Sequence, residues 1–362
     1  MGFLGNIIRG ILNFTYVILS SCCACVFFMF PPLVMIRPFS KTLYYKINNK
    51  VAGSWFRYLI FQTQVVNQTT VKLHGSEQLK PNESVILMMN HPSEIDWLYS
   101  WVLANRVGST SCIKVILKDQ IKYVPGIGWG CDNLDFVYLT RHWEFDEQHI
   151  QYKMELYTET HTKPWLVIFP EGTDFDKDKQ LKSWAFSEKN GHPKFNNVLL
   201  PRHKGLHACI EPLRTHQNLD AIYDITIGYE SKPTIFTCMI GTNPTVNIDI
   251  KRIPISEVPK EEDALQKWIY NLYDKKDKLL QQFKDNGNQF PSPYIIPKVG
   301  LDVYFFSILW YTFMIMAFYL MSQHTLLLYY FIAVVLFFIS SSRFKSLREF
   351  RGLQLPQHTK KQ

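Results

Sequence analysis

The chain has 362 residues, 47% of them hydrophobic and 15% aromatic, with a formal net charge of +8. That length suffices for one ordinary domain with extra segments or for two small ones, and the apolar and aromatic content excludes disorder and suits contact with a bilayer. The positive balance points to an acidic partner, whether nucleic acid, an anionic bilayer or a phosphorylated small molecule.

Residues 11–30 are twenty positions without a charge, long enough to cross a bilayer and without the small-residue cleavage site of a removed signal peptide. Arg9 precedes this run, and Arg37, Lys41, Lys46 and Lys50 follow it, so the side that follows is expected to be cytosolic. Residues 1–50 are therefore expected to form an N-terminal membrane anchor, either crossing or lying as a helical pair in one leaflet. Cys22, Cys23 and Cys25 fall inside this apolar run and the other cysteines are scattered, which indicates neither a disulfide scaffold nor a zinc site and fits a reducing compartment. Residues 55–81 read as a connector, with a first strand around 65–73.

Residues 84–89 form a short apolar run that reads as a buried strand. Asn90-His91-Pro92-Ser93-Glu94-Ile95-Asp96 follows, and then residues 97–104 with a helical apolar face. His91 thus stands where a strand ends and a helix begins, a frequent place for chemistry in α/β proteins. On one continuous helix residues five apart would point about 140° away from each other, so His91 and Asp96 meet only if the chain breaks between them. Pro92 supplies the break. Asp96 could then fix the imidazole tautomer and leave the other nitrogen to take a proton. A second reading stays open: Ser93 and Asp96 have the spacing of a capping box, in which Asp96 serves only the helix.

Beyond this stretch strands and helices alternate. Residues 113–117, 136–139 and 165–169 read as strands and 145–158 as a helix; 198–200, 222–229 and 245–253 are later strands. The pattern predicts an α/β fold, a mixed, mostly parallel sheet flanked by helices. Residues 260–284 read as an amphipathic helix whose default place is packed on the domain. A catalytic domain over 51–285 would then lead through a proline-rich linker, 286–302, to a C-terminal transmembrane helix pair within 303–342. That pair consists of apolar blocks 303–320 and 325–339, each near the lower limit for a span, so a re-entrant hairpin remains open. Arg343, Lys345, Arg348 and Arg351 begin a basic tail, 343–362, placed on the cytosolic side by its charge. Lys360-Lys361 hints at retrieval to the endoplasmic reticulum.

Phe136-Val137-Tyr138-Leu139-Thr140-Arg141 is a strand ending in arginine, and a guanidinium held there suits a phosphate, although it equally fits a plain surface residue. Phe169-Pro170-Glu171-Gly172-Thr173 also ends an apolar strand. Its Pro and Gly set a tight turn that puts Glu171 at the apex, able to accept hydrogen bonds from a hydroxylated substrate. Val198-Leu199-Leu200-Pro201 is an apolar segment with a proline stop.

In this order and spacing the four segments resemble the PlsC-type glycerophospholipid acyltransferases of the lysophosphatidate acyltransferase superfamily, whose signature is Asn-His-x4-Asp, a strand ending in Arg, Phe-Pro-Glu-Gly-Thr and a proline-containing apolar block. The resemblance covers roughly residues 70–230. Val124-Pro125-Gly126-Ile127-Gly128-Trp129, Ala185-Phe186-Ser187-Glu188-Lys189-Asn190-Gly191 and Asp224-Ile225-Thr226-Ile227-Gly228-Tyr229 are similar to the lysocardiolipin and lysophosphatidylinositol acyltransferase branch. The filler Pro92-Ser93-Glu94-Ile95 departs from that branch.

The resemblance implies an endoplasmic-reticulum membrane enzyme moving an acyl chain from acyl-CoA to a free hydroxyl of a lysophospholipid, with its catalytic domain facing the cytosol. The acceptor would be lysophosphatidylinositol, lysocardiolipin or lysophosphatidylglycerol, or alternatively 1-acylglycerol-3-phosphate. It implies His91 and Asp96 as the catalytic pair, Arg141, Glu171, Gly172 and Thr173 as acceptor-binding residues, and Asn90, Pro170 and Pro201 as further motif positions. Acyl-CoA is a co-substrate; no cofactor, metal or nucleic acid is expected. Two rivals remain, a non-catalytic protein that binds anionic lipids and a hydrolase, although no nucleophile elbow Gly-x-Ser-x-Gly occurs. Asp174, Asp176 and Asp178 begin like a calcium loop, but Lys179 and Ala185 stand where that loop needs Gly and Glu, so an acidic turn is expected.

Overall fold

The computed structural model describes residues 3–241 and 245–344. Lys345, Arg348, Arg351, Lys360 and Lys361, and with them nearly all of the expected basic tail, lie outside the described residues. The apolar N-terminal segment is one long helix with a widened turn: α1 (Phe3–Cys23), a π-helical stretch (Ala24–Met29) and α2 (Phe30–Met35). Pro31 and Pro32 have no N–H to give, and the wide turn before them absorbs the interrupted ladder. The segment extends well past residues 11–30 and includes Arg9. That charge is tolerated because its guanidinium donates to the Ile240 carbonyl at 2.6 Å.

Helix α3 (Lys41–Phe61) starts at Ser40, whose hydroxyl accepts from the Leu43 N–H, and runs on into a π-helical turn, Gln62–Val66. This corrects one expectation: residues 55–66 are helix rather than connector, and α3 runs unbroken across residue 50. The first strand, β1 (Thr70–His74), begins correspondingly late.

The sheet is completed by β2 (Val85–Met89), β3 (Ile113–Lys118), β4 (Val137–Leu139), β5 (Trp165–Ile168), β6 (Ala221–Tyr229), β7 (Thr245–Pro254) and β8 (Tyr294–Ile295), in the spatial order β4-β3-β5-β2-β6-β7-β1-β8. Strands β4, β3, β5, β2 and β6 are mutually parallel; β7 runs antiparallel to β6, β1 parallel to β7, and β8 antiparallel to β1. This is the expected mixed, mostly parallel sheet. β8 lies within the stretch expected to be only a linker.

All of β2 is buried, because both faces of the sheet are covered. Val85, Leu87 and Met89 point into a core shared with α1, α3 and α4 (Trp97–Arg106). Ile86 and Met88 point into a second core with α6 (Trp143–Glu159), α8 (His203–Thr215) and α10 (Glu262–Asp285). Short helices α5 (Ile127–Asn133) and α9 (Ile235–Ile240) and the longer α7 (Lys177–Asn190) fill the connections. Residues 198–200 are not a strand; they cross the strand ends as extended coil.

Helices α11 (Leu301–Gln323) and α12 (Thr325–Arg343) form the C-terminal pair. With Leu4–Met35 they are three helices long and apolar enough to cross a membrane. They differ in surroundings: 50% of the apolar window of the N-terminal helix is buried in the protein, against 28% and 22% for α11 and α12. The N-terminal helix is thus partly a domain element, whereas the pair presents mostly apolar side chains outward.

Candidate active site

The sheet delivers three motif segments to one crevice. β2, β5 and β4 are parallel and end on the same edge, at Asn90, Phe169 and Thr140. Such a crevice at the carboxyl ends of parallel strands is where open α/β sheets bind ligands.

Asn90 is buried, and its side chain pairs with β6 as a backbone unit would: its amide donates to the Ile227 carbonyl at 3.0 Å and its oxygen accepts from the Ile227 N–H at 2.7 Å. The chain then leaves the sheet and turns through residues 92–96. His91 Nδ1 lies 2.9 Å from Asp96 Oδ2. A carboxylate only accepts, so Nδ1 carries the proton and Nε2 is left as the basic nitrogen. The ring stacks on Phe169, centroids 4.1 Å apart. Asp96 also accepts from the Ser93 N–H at 2.8 Å. The capping-box contact and the imidazole contact therefore coexist on one carboxylate. Ser93 Oγ donates to the Pro233 carbonyl and accepts from the Ile95 N–H at 3.4 Å rather than from the Asp96 N–H. Asp96 Oδ1 accepts from Tyr229 Oη at 2.5 Å, and Asp96 is 0% exposed. That burial raises its carboxyl above the usual carboxylate range, against the pull of His91, Tyr229 and the Ser93 N–H.

Glu171 is 3% exposed and both its oxygens are engaged, one by the His91 N–H at 3.0 Å and the other by the Leu199 N–H at 2.9 Å. It therefore ties together three loops, and any contact with a substrate would be additional to these. Burial pushes its carboxyl up to about 8, opposed by those two N–H groups and by the Lys276 ammonium. Gly172 takes φ +72°, in the left-handed region that closes the Pro-Glu-Gly turn, and a Cβ there would sit 3.5 Å from the Arg202 side chain. Thr173 donates to Asp174. Further braces close the loop: the Phe175 N–H donates to the His91 carbonyl at 2.7 Å, and the Arg202 N–H, just after Pro201, donates to the Pro170 carbonyl at 2.8 Å. Asp176 caps α7, and Lys179 pairs with Asp174 and Asp176.

Arg141 also sits in the left-handed region, φ +70°, a conformation costing a non-glycine residue roughly 1–2 kcal/mol. Asp146, buried in the first turn of α6, holds it there. Its carboxylate accepts from the Thr140 N–H, the Thr140 hydroxyl and the Arg141 N–H, each at 2.8 Å. Neither Asp146 nor Tyr229 has a role expected from the sequence. Asp146 left a faint signal, an acid at the start of a predicted helix directly after the arginine.

His91, Arg141, Glu171, Gly172 and Thr173 all line one cavity of about 930 Å³. Its inner wall is apolar, with Ile116, Leu117, Leu139, Phe169 and Leu200, and its cationic side chains include Lys118, Arg141, Lys182, Arg202 and Lys204. Apolar and cationic side chains thus line the same cavity side by side.

A family model described as Acyltransferase matches residues 70–230, and one described as Acyltransferase C-terminus matches residues 237–310. Over 289 residues the chain is 34% identical to the probable 1-acyl-sn-glycerol-3-phosphate acyltransferase 5 of Arabidopsis thaliana, covering 79% of this chain and 76% of that relative. The chain belongs to the PlsC-type acyltransferase superfamily. Lysocardiolipin acyltransferase 1 of Gallus gallus is 30% identical to this acyltransferase over 266 residues, covering 73% and 70% of the two chains. The 1-acyl-sn-glycerol-3-phosphate acyltransferase delta of Bos taurus is 30% identical over 269 residues, again covering 73% and 70%. As a member of this superfamily the protein is an enzyme of phospholipid metabolism that transfers acyl groups, and the cavity is where its motif residues converge.

Proposed function

We propose that this acyltransferase uses acyl-CoA to acylate a free hydroxyl of a glycerol lysophospholipid, with lysophosphatidylinositol, lysocardiolipin or lysophosphatidylglycerol as acceptor. Lysophosphatidate is the alternative acceptor, supported by the names of the Arabidopsis and Bos taurus relatives. The observation that carries the reading is the His91–Asp96 pair at the mouth of a fully buried strand, lining a cavity that is apolar inside and cationic in part.

In this mechanism Nε2 of His91 takes the hydroxyl proton of the acceptor. The oxygen attacks the thioester carbon, the C–S bond breaks, and the coenzyme A thiolate leaves with the proton returned by the imidazolium. Asp96 holds the tautomer and balances the cation; a base so placed contributes about 10²–10⁴-fold in rate. Arg141 grips the acceptor phosphate, and the Gly172-Thr173 turn sits beside its glycerol. Glu171, Asn90, Pro170 and Pro201 shape the loops that carry these groups. The thioester is already activated, so no metal or covalent serine step is needed. We place the protein in the endoplasmic-reticulum membrane with this site on the cytosolic side, on the strength of the basic residues that follow the N-terminal helix.

The test is an assay on membranes with radiolabelled oleoyl-CoA and a panel of lysophospholipids, comparing wild type with His91→Ala. Acylated lipid that disappears in the variant supports the reading, and the panel names the head group. Lipid binding without coenzyme A release by the wild type, or release of free fatty acid alone, would replace it with a binding protein or a hydrolase.

A further inference from the structure

We propose that Tyr229 is a positioning residue of the catalytic pair, its phenol donating to Asp96 so that the carboxylate stays ionised and aimed at His91. The inference rests on the role given to His91 and Asp96 above and adds a third member from a distant strand.

The geometry is set by the sheet. β6 pairs in parallel with β2, Met89 opposite Ile225, and the two-point clamp of Asn90 on Ile227 fixes the register where β2 ends. Two residues further along β6, Tyr229 reaches Asp96 Oδ1 while His91 and the Ser93 N–H occupy Oδ2. The carboxylate is shut away from water, so these donors take the place of solvent. The other titratable groups near the pair are few. Tyr99 of α4 packs on Tyr229 with ring centroids 6.0 Å apart and acts electrostatically on both Tyr229 and Asp96, and Cys238 of α9 acts on Tyr99. Glu171 acts on Asp96 and Asp174 on His91 from the turn after β5. Burial and the neighbouring Asp96 hold the Tyr229 phenol far above its ordinary range, so it remains a donor at any working pH.

The chemical consequence follows from proton placement. A protonated Asp96 would itself donate to Nδ1, moving the ring proton to Nε2 and removing the base. Burial favours that unproductive form; Tyr229 opposes it. Without the phenol, Oδ1 is left buried and unpartnered, and Asp96 keeps its proton to higher pH. That change pushes the acidic limb of the rate profile upward.

The experiment compares full-length wild type, Tyr229→Phe and Tyr99→Phe in membranes, using oleoyl-CoA and the lysophospholipid of the panel that is turned over. For Tyr229→Phe we expect kcat at pH 7 to fall roughly tenfold with KM nearly unchanged and the acidic limb to rise by about one pH unit, the scale of one charge-assisted hydrogen bond. Tyr99→Phe removes a phenol that acts on Asp96 without a hydrogen bond to it, and should move the limb by clearly less than Tyr229→Phe. Should Tyr229→Phe fail to fold, 3-fluorotyrosine at position 229 is a stronger donor of nearly the same shape, and it should move the limb to lower pH. A limb that stays put in either Tyr229 variant, or an effect confined to KM, overturns the proposal. If the wild type turns over no lysophospholipid, the functional reading fails separately. The ionisation of Asp96 is then followed by the infrared carboxylate band that Asp96→Asn abolishes. That band should vanish at higher pH in Tyr229→Phe than in wild type; loss at the same pH overturns the proposal.

Discussion

Asp146 illustrates how one buried carboxylate can fix a residue that lines the cavity. It accepts three hydrogen bonds from the Thr140-Arg141 turn and thereby holds Arg141 in a backbone conformation it would otherwise leave. Asp146→Ala should let the guanidinium drift, raising KM for the lysophospholipid about tenfold, the scale of one charge-assisted hydrogen bond, while kcat changes little. A fall in kcat at constant KM would show that Arg141 acts on the transferring group instead. Glu171 gives a pH prediction. Its folded value of about 8 lies above the ordinary 4.5, so between those values the unfolded chain ionises while the folded one keeps its proton. The wild type therefore loses stability as pH rises through that window, by up to about 1.4 kcal/mol per unit, and the loss stops above it. Glu171→Gln has no such slope, so its melting temperature relative to wild type should climb from pH 5 to pH 8 and then level off. A flat difference would mean that Glu171 is ionised throughout.

At the level of elements, α10 is fastened to β6 by a buried cation. Lys276 donates to the Ile225 carbonyl at 2.5 Å and to Thr226 Oγ1 at 3.1 Å, and lies 2.8 Å from Asp224. Lys276→Met would leave Asp224 without its counter-ion in a poorly solvated place, and a loss of about 3–5 kcal/mol is expected in denaturant titrations. A loss below about 1 kcal/mol would mean that water replaces the ammonium. The same elements show what could be read from the chain. Strands β2 and β5 were legible because a strand covered on both faces is an unbroken apolar run, and α10 because its buried residues keep helical spacing against a charged outer face. Helix α3 was not, since Lys46, Lys50 and Arg57 interrupt its apolar residues and its continuation is π-helical. Helix α8 was hidden by Pro201 before it and Pro212 within it. Residues 198–200 look like a strand by composition, but the Leu199 N–H is spent on Glu171 rather than on a neighbouring strand. In the site, His91 and Asp96 stood out because Pro92 forces the break that lets them meet. Tyr229 did not, because a tyrosine closing an apolar strand reads as core, and its partner is 133 positions away.

On the scale of the whole molecule, the C-terminal pair offers a test of how the protein is threaded. Helix α11 has 23 residues, about 35 Å at 1.5 Å per residue, enough to cross the hydrocarbon of a bilayer. A flexible loop bearing a glycosylation acceptor, inserted at Gln323, should be modified if α11 and α12 both cross from a cytosolic domain, while Asn82, in the acceptor sequence Asn82-Glu83-Ser84, stays bare. Sugar on Asn82 would invert the orientation, and an unmodified loop would favour a re-entrant hairpin. Half of the N-terminal helix window is meanwhile packed into the catalytic body. Gly126 shows how closely: a Cβ there would fall 2.2 Å from Ser21 Oγ and 2.6 Å from the Cys22 nitrogen.

That close packing has a consequence for how the protein is made. Helix α1 docks on partners that are synthesised much later; Arg9 bonds to a carbonyl 231 positions downstream, and Tyr16 to one 294 positions downstream. At about 5–20 residues per second the apolar face of α1 waits roughly ten seconds to a minute for them. A bilayer would supply apolar surroundings for that interval. It would then serve this helix as a holding place during biosynthesis.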